Sequence, residues 1–226
     1  MKLWFIENAI YFLAVIGIIF NFYWLFSFRD KLKLKPVILF FTAVIYAAAD
    51  YLFVKIFAVI EYLDISAFSS MSLFGAVFFM PPAIAAIAKS EGVKPSLLLD
   101  ISTPGQIFFF MCGRINCLIS GCCYGIYLSE NFRWPVREAE ITLYIILITV
   151  FCIRLRHGKF TGGYYALFLI VYGIFRFAVE FVRYFPDQTG LWHRGHLFAV
   201  IALAAGTVWF VFIRRKKRAE SVRQSA

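Results

Sequence analysis

Gly113-Arg114-Ile115-Asn116-Cys117-Leu118-Ile119-Ser120-Gly121-Cys122-Cys123-Tyr124-Gly125 interrupts an otherwise apolar chain. The stretch holds an arginine, an asparagine, three glycines and three of the chain's five cysteines. Such a run makes a poor lipid-facing helix. Ionisable groups at membrane depth are costly and turn toward a bundle interior or a wet cavity. Glycine-rich, non-helical backbone survives there only where protein or trapped water satisfies it. The reading is therefore a glycine-rich re-entrant or broken segment that lines a buried site.

The surroundings make this a membrane protein. The 226 residues are 62% hydrophobic and 20% aromatic, against roughly 45–50% apolar in a soluble domain. A helix needs about 20 apolar residues to cross a bilayer. Hydrophobic runs at roughly 4–26, 37–60, 71–88, from near Leu97 into the Gly113–Gly125 stretch, 141–153, 162–183 and 196–213 predict an all-α protein of about seven transmembrane helices. The fifth run is short, so its helix is expected to begin near Arg137. Pro81-Pro82 is expected to kink or break the third helix. Residues 1–213 form one transmembrane domain and 214–226 a basic cytoplasmic tail. The first run lacks the basic flank and small-residue cleavage site of a signal peptide and is expected to remain as a helix.

Charge orients the bundle. The net charge is +10, and the distribution of cations fits positive-inside bias and not nucleic-acid binding. With the N-terminus outside, 15 Lys and Arg residues fall on the cytoplasmic side and 8 on the other. The expectation is N-out, C-in. Among the eight, Arg114, Arg137, Arg176 and Arg183 lie in or beside apolar runs.

The sixth run carries Tyr172, Arg176, Glu180 and Arg183 on one helical stripe. One arginine would suffice for a structural pair with Glu180. The second leaves positive charge facing inward, suited to the bidentate hydrogen bonding of a phosphate. An ion-paired helix end at the interface is the plainer alternative. Arg114 and Arg137 bring the count on the outer side to four, which favours an anionic lipid headgroup as ligand. Asp50, inside the second run, is either a site residue or a partner of Lys55 or an arginine. Cys112 and Cys152 lie in apolar runs and read as packing residues. Cys117, Cys122 and Cys123 do not form a CxxC pair. Disulfide, reactive thiolate beside Arg114 and simple packing all remain open for them. No spacing there, or to His193 or His196, singles out zinc; no metal and no cofactor is expected.

At these residues the chain resembles the prolipoprotein diacylglyceryl transferase family. Gly113, Arg114, Gly121 and Gly125 match that family's G-R-x-G-N-F-x-N-G-E-x-x-G signature. Arg176-Phe177, Glu180 and Arg183 are similar to its R-F-x-x-E-x-x-R helix, and Pro135 and Glu140 to its P-x-Q-L-Y-E segment. Met71-Ser72-Leu73-Phe74-Gly75 resembles M-S-F-H-G. Gly195-His196 stands at a family Gly-Gln, and Tyr11 at a first-helix tyrosine. Cys117 and Ser120 stand where the family has asparagines, Cys122 where it has glutamate, and Phe74 where it has a histidine proposed as base. These departures mark a divergent, GCCYG-type member.

The resemblance implies transfer of a diacylglyceryl group from phosphatidylglycerol, or a similar anionic phospholipid, to the lipobox cysteine thiol at a prolipoprotein's signal peptide. It implies a multi-pass protein of a bacterial plasma (inner) membrane with its site toward the outer side. The implied catalytic residues are Arg114, Arg176, Glu180 and Glu140. The implied substrate-binding residues are Gly113, Gly121, Gly125, Arg183, Arg137, Tyr11 and His196. Two alternatives stay open: a related transferase with another acceptor, using a cysteine nucleophile, and a non-enzymatic lipid-binding or transport module.

Overall fold

The computed structural model describes residues 2–130, 132–184 and 192–225. Most of the polar loop expected from Tyr184 to Gly195 lies outside the described residues. The helices are α1 (Lys2–Ser27), α2 (Arg29–Leu32), α3 (Pro36–Tyr62), α4 (Leu73–Ser90), α5 (Pro95–Ser120), α6 (Val136–Arg156), α7 (Tyr164–Glu180) and α8 (Arg194–Ser225). A small antiparallel hairpin, β1 (Tyr127–Ser129) with β2 (Phe132–Arg133), precedes α6. Proline sets the starts of α3 and α5, where its missing N–H is an orphan in any case. The tail expected after residue 213 continues α8 as helix.

Among the described residues, four helices are long and apolar enough to cross a membrane: Asn8–Ser27, Pro36–Tyr62, Leu73–Ser90 and Arg194–Glu220. The polarity of α5 is turned inward. Asp100, Ser102, Thr103, Gln106 and Arg114 are all buried on it. Large apolar side chains such as Ile19, Phe41, Ile146, Val208 and Phe212 face outward. A surface this apolar belongs against lipid.

The inward polar groups hold the helices together. Trp24 on α1 donates to the Ile101 carbonyl at 2.7 Å, and Asn21 donates to that of Gly105 at 3.1 Å. The Asp100 carboxylate accepts from the backbone N–H groups of Thr161, Gly162 and Tyr164 at 2.7, 2.5 and 3.0 Å, fixing the start of α7. Gly173 lets α7 approach α8, because a Cβ there would sit 2.7 Å from the Leu203 nitrogen.

Two expectations about helix breaks are corrected. Pro81-Pro82 lies inside a continuous α4. Pro81 removes the N–H that would reach the Val77 carbonyl, and the Tyr165 hydroxyl donates to that carbonyl at 3.1 Å instead. The expected broken segment is helix as far as Ser120, because Gly113 sits inside a regular turn and only Gly121, at φ +65°, ends the run. The irregular backbone is confined to Gly121–Ile126.

The ends of the bundle differ. Phe28, at the α1–α2 junction, packs its ring on Phe160, and Lys31 lies 4.0 Å over the same ring. Lys94, Lys216 and Lys217 line a cleft with Phe160 and Thr161. The basic loops thus share one end, and Gly121–Gly125, the end of α7 and the start of α8 share the other.

Candidate functional site

The irregular turn is sewn to α7. Gly125 forms an isolated antiparallel bridge with Arg183. Ile126 N–H donates to the Val182 carbonyl at 2.8 Å, and Tyr184 N–H to that of Tyr124 at 2.9 Å. A Cβ on Gly125 would collide with the Trp134 carbonyl, which explains glycine there. Arg137 clamps the turn from α6. It donates to the Cys117 and Cys122 carbonyls at 3.5 and 3.3 Å and lies 4.4 Å over the Tyr124 ring.

These connections bring three arginines and two glutamates into one chain of charge. Glu140 of α6 pairs with both Arg114 of α5 and Arg176 of α7. Arg176 also reaches Glu180 at 2.9 Å, and Glu180 meets Arg183 at 3.7 Å. Glu140, Arg176 and Glu180 are at most 2% exposed. Each buried carboxylate bridges two guanidinium groups, so the set carries one surplus positive charge. Uncompensated, these charges would be costly at this depth; paired in this way they are held.

The surplus faces a cavity of about 260 Å³. Its lining includes the cations Arg114, Arg176, Arg183 and Arg194, the carboxylates Asp50, Glu61 and Glu180, and apolar Leu13, Ala14 and Val54 from α1 and α3. The Tyr172 hydroxyl, on the same cavity, is buried with no hydrogen-bond partner among the described residues. Such a group is costly unless something supplies a bond. A cavity that joins cations, apolar side chains and an unsatisfied hydroxyl suits an anionic amphiphile.

Gly113, Glu180, Cys117 and Cys123 also line the cavity, and Glu140 stands behind the wall, bound to its arginines. A Cβ on Gly113 would meet nothing within 4 Å, so its hydrogen leaves open space. Gly121, Gly125, Arg137 and Cys122 build the turn without lining the cavity. Tyr11 points outward from α1 at 62% exposure. His196 is buried among Phe177, Phe181 and Trp192, with its Nδ1 accepting from His193 N–H at 3.1 Å. Phe74 packs against Tyr172 and Phe198, with the Arg176 guanidinium 5.7 Å from its ring.

Asp50 pairs with neither Lys55 nor an arginine. Lys55 donates to the Ser69 carbonyl. Gln106, with its amide turned to suit its neighbours, donates to both Asp50 oxygens at 3.0 and 3.2 Å. Sequence reasoning passed over Gln106, whose only signal is an amide within an apolar run.

All five cysteines are free thiols. The sulfurs of Cys117, Cys122 and Cys123 lie within 4.8 Å of one another, a closeness that their spacing did not reveal. Cys123 has φ +56°, unusual for a residue with a side chain. The Arg183 guanidinium donates to its sulfur at 3.3 Å. The neighbouring thiols of Cys117 and Cys122, and then Arg114 and Arg183, hold the Cys123 thiol below the usual range despite its burial.

The sequence profile of the family described as prolipoprotein diacylglyceryl transferase matches residues 8–212. Among similar proteins, a phosphatidylglycerol–prolipoprotein diacylglyceryl transferase of Dehalococcoides mccartyi is 24% identical over 164 residues, 66% of this chain and 63% of that protein. One from Clostridium perfringens is 29% identical over 55% of each chain. One from Wolinella succinogenes is 32% identical over 53% of this chain and 47% of its own. The chain therefore spans less than two thirds of the length of these relatives.

Proposed function

We propose a function on the premise that this chain belongs to the prolipoprotein diacylglyceryl transferase family, whose profile covers nearly all of it. The chain transfers a diacylglyceryl group from phosphatidylglycerol to the thiol of a lipobox cysteine, forming a thioether and releasing glycerol phosphate. It does so as a protein of about seven spans in a bacterial plasma membrane, N-out and C-in, with the site toward the outer side. The orientation is supported by the basic loops gathered at the end opposite the cavity.

The observation that carries the reading is the buried Arg114–Glu140–Arg176–Glu180–Arg183 chain, with its surplus cation on the wall of an amphiphilic cavity. A phosphodiester headgroup bears one negative charge and matches that surplus. As the glyceryl C–O bond breaks, negative charge grows on the departing phosphate, and fixed guanidinium groups stabilise it without reorganising. Arg114, Arg176 and Arg183 supply that field. Glu140 and Glu180 hold the arginines in place. The apolar side chains of α1 and α3 receive the start of the acyl chains.

The test is incubation of the purified protein with phosphatidylglycerol and a lipobox peptide, followed by mass measurement. The peptide gains one diacylglyceryl group with the wild type and none with Arg114→Ala. No gain with a folded wild type, across several lipobox peptides, refutes the reading.

A further inference from the structure

The transfer reaction needs a thiolate, because the thiol itself is a poor nucleophile. On the cavity Glu180 is engaged by arginines and Asp50 by Gln106, and Glu140 behind the wall holds two arginines; partly exposed Glu61 is the remaining carboxylate among the described lining residues. Phe74, packed among aromatic rings, takes no proton. At the edge of the same cavity stand three thiols whose presence packing does not explain. Cys122 is exposed, and Cys123 holds an unfavourable left-handed backbone conformation that brings its sulfur to the other two.

We propose that Cys117, Cys122 and Cys123 bind one zinc ion, whose fourth position takes the acceptor thiol and ionises it. The geometry fits. Zinc–sulfur bonds of about 2.3 Å place the sulfurs of a tetrahedral site roughly 3.8 Å apart. The three sulfurs already lie within 4.8 Å of one another, and exposed Cys122 is free to rotate inward. Three protein ligands with one open position is the arrangement of a catalytic zinc, not a structural one. Charge is provided for in part. Three thiolates on Zn²⁺ carry one net negative charge, and the acceptor thiolate makes it two. Arg183, hydrogen-bonded to the Cys123 sulfur at 3.3 Å, lies against the site and meets part of that charge.

The proposal rests on the transferase reading for its acceptor. Binding the ion releases the three cysteine protons to water. The acceptor R–SH then binds zinc as R–S⁻, and its proton also leaves to water, since a thiol that coordinates zinc is deprotonated. The thiolate sulfur attacks the glyceryl carbon of the donor lipid. A C–S bond forms, the C–O bond breaks, and the electron pair departs with glycerol phosphate, whose charge the arginines receive. The thioether product is a weaker ligand than the thiolate and leaves the metal.

The experiment measures bound metal in the full chain, purified in detergent, and then the absorption of the cobalt(II)-substituted protein. The expected result is one zinc per chain, lost in Cys122→Ser and Cys123→Ser and retained in Cys152→Ser. In the cobalt form, a sulfur-to-cobalt charge-transfer band is expected, and a lipobox peptide shifts the cobalt bands whereas its Cys→Ser analogue does not. Absence of stoichiometric zinc, a disulfide among the three cysteines, copper(I) held in place of zinc, or cobalt bands indifferent to the peptide each overturn the proposal. Full transfer by metal-free protein overturns it and leaves the transferase reading standing. Zinc that answers to the peptide thiol without any diacylglyceryl transfer sustains the metal site and refutes the transferase.

Discussion

Replacing Glu140 by glutamine tests the charge chain most directly. The carboxylate is 1% exposed and bridges Arg114 and Arg176. Glutamine keeps the shape but offers one acceptor oxygen and no charge. The surplus on the five-residue set rises from one to two, and two buried guanidinium groups lose a charge-assisted bond. Breaking a buried pair by removing one partner costs about 3–5 kcal/mol. For a chain of this size each kcal/mol lowers the melting temperature by roughly 2–4 °C, so a fall of roughly 6–20 °C follows. Glu138→Gln is the internal control. Its pair with Arg137 is long, at 3.6 Å, and the Glu138 side chain is 48% exposed, so the change stays within about 1 kcal/mol. Thermal unfolding in detergent, with and without phosphatidylglycerol, reads both quantities. The anionic lipid should recover more of the loss in Glu140→Gln than it adds to the wild type, because it binds the folded state and neutralises the extra cation. A zwitterionic lipid should not. If Glu140→Gln melts with Glu138→Gln, Glu140 does not hold the two arginines and the charge chain is not the core of the site.

Gly195→Ala should disturb the site from α8, because its Cβ would land on the Glu180 carboxylate. Displaced from Arg176, that wall moves, and a misplacement of about 1 Å costs on the order of 100-fold in transfer rate, measured by peptide mass gain over time. Asp100→Asn keeps one acceptor for the three N–H groups at the start of α7; stability should fall by about 1–3 kcal/mol in thermal unfolding, with lipid binding unchanged. Arg137→Met removes the clamp on the Cys117 and Cys122 carbonyls, and amide exchange should quicken over Gly121–Ile126 while α3 and α4 keep their protection. His193 stands on the cavity and is the competing base. His193→Gln should leave the pH profile of transfer unchanged if the acceptor thiol is ionised at the cysteines, and a lost limb in that profile would assign the proton to His193.

Four of the helices were legible from length and apolarity alone. The early start of α6 near Arg137 followed from the shortness of its apolar run, and α6 begins at Val136. Both misreadings of helix breaks have one cause. Proline and glycine disfavour helix locally, but α4 runs through Pro81-Pro82, where the Tyr165 hydroxyl supplies a bond to the Val77 carbonyl, and α5 runs through Gly113. The stripe of Arg176, Glu180 and Arg183 was readable from periodicity alone. That Glu140 would join Arg114 to Arg176 was not, since the three belong to three helices and only their packing fixes the distance. Arg137 illustrates the same limit. Its charge and position suggested a ligand contact; its bonds to the Cys117 and Cys122 carbonyls, at the end of α5 and in the turn, were not readable.

The pairing pattern itself bears on mechanism. Three arginines at this depth would be too costly alone, and three arginines with three glutamates would have nothing left for a ligand. Two glutamates leave one charge, which is the charge of a phosphodiester. In the proposed transfer both carboxylates are committed to the arginines that would receive the donor, and neither is free to take a proton from the acceptor. The proposed zinc site assigns acceptor activation to the cysteines, with His193 as the competing base on the same cavity. The turn that supplies Cys123 to the cavity wall, next to Cys117 in the last turn of α5, also positions Arg183 through the Gly125 bridge and the Cys123 contact. In the proposed reaction, donor and acceptor chemistry would meet on Gly113–Gly125, with Arg114 near its start facing the phosphate and the cysteines toward its end facing the thiol.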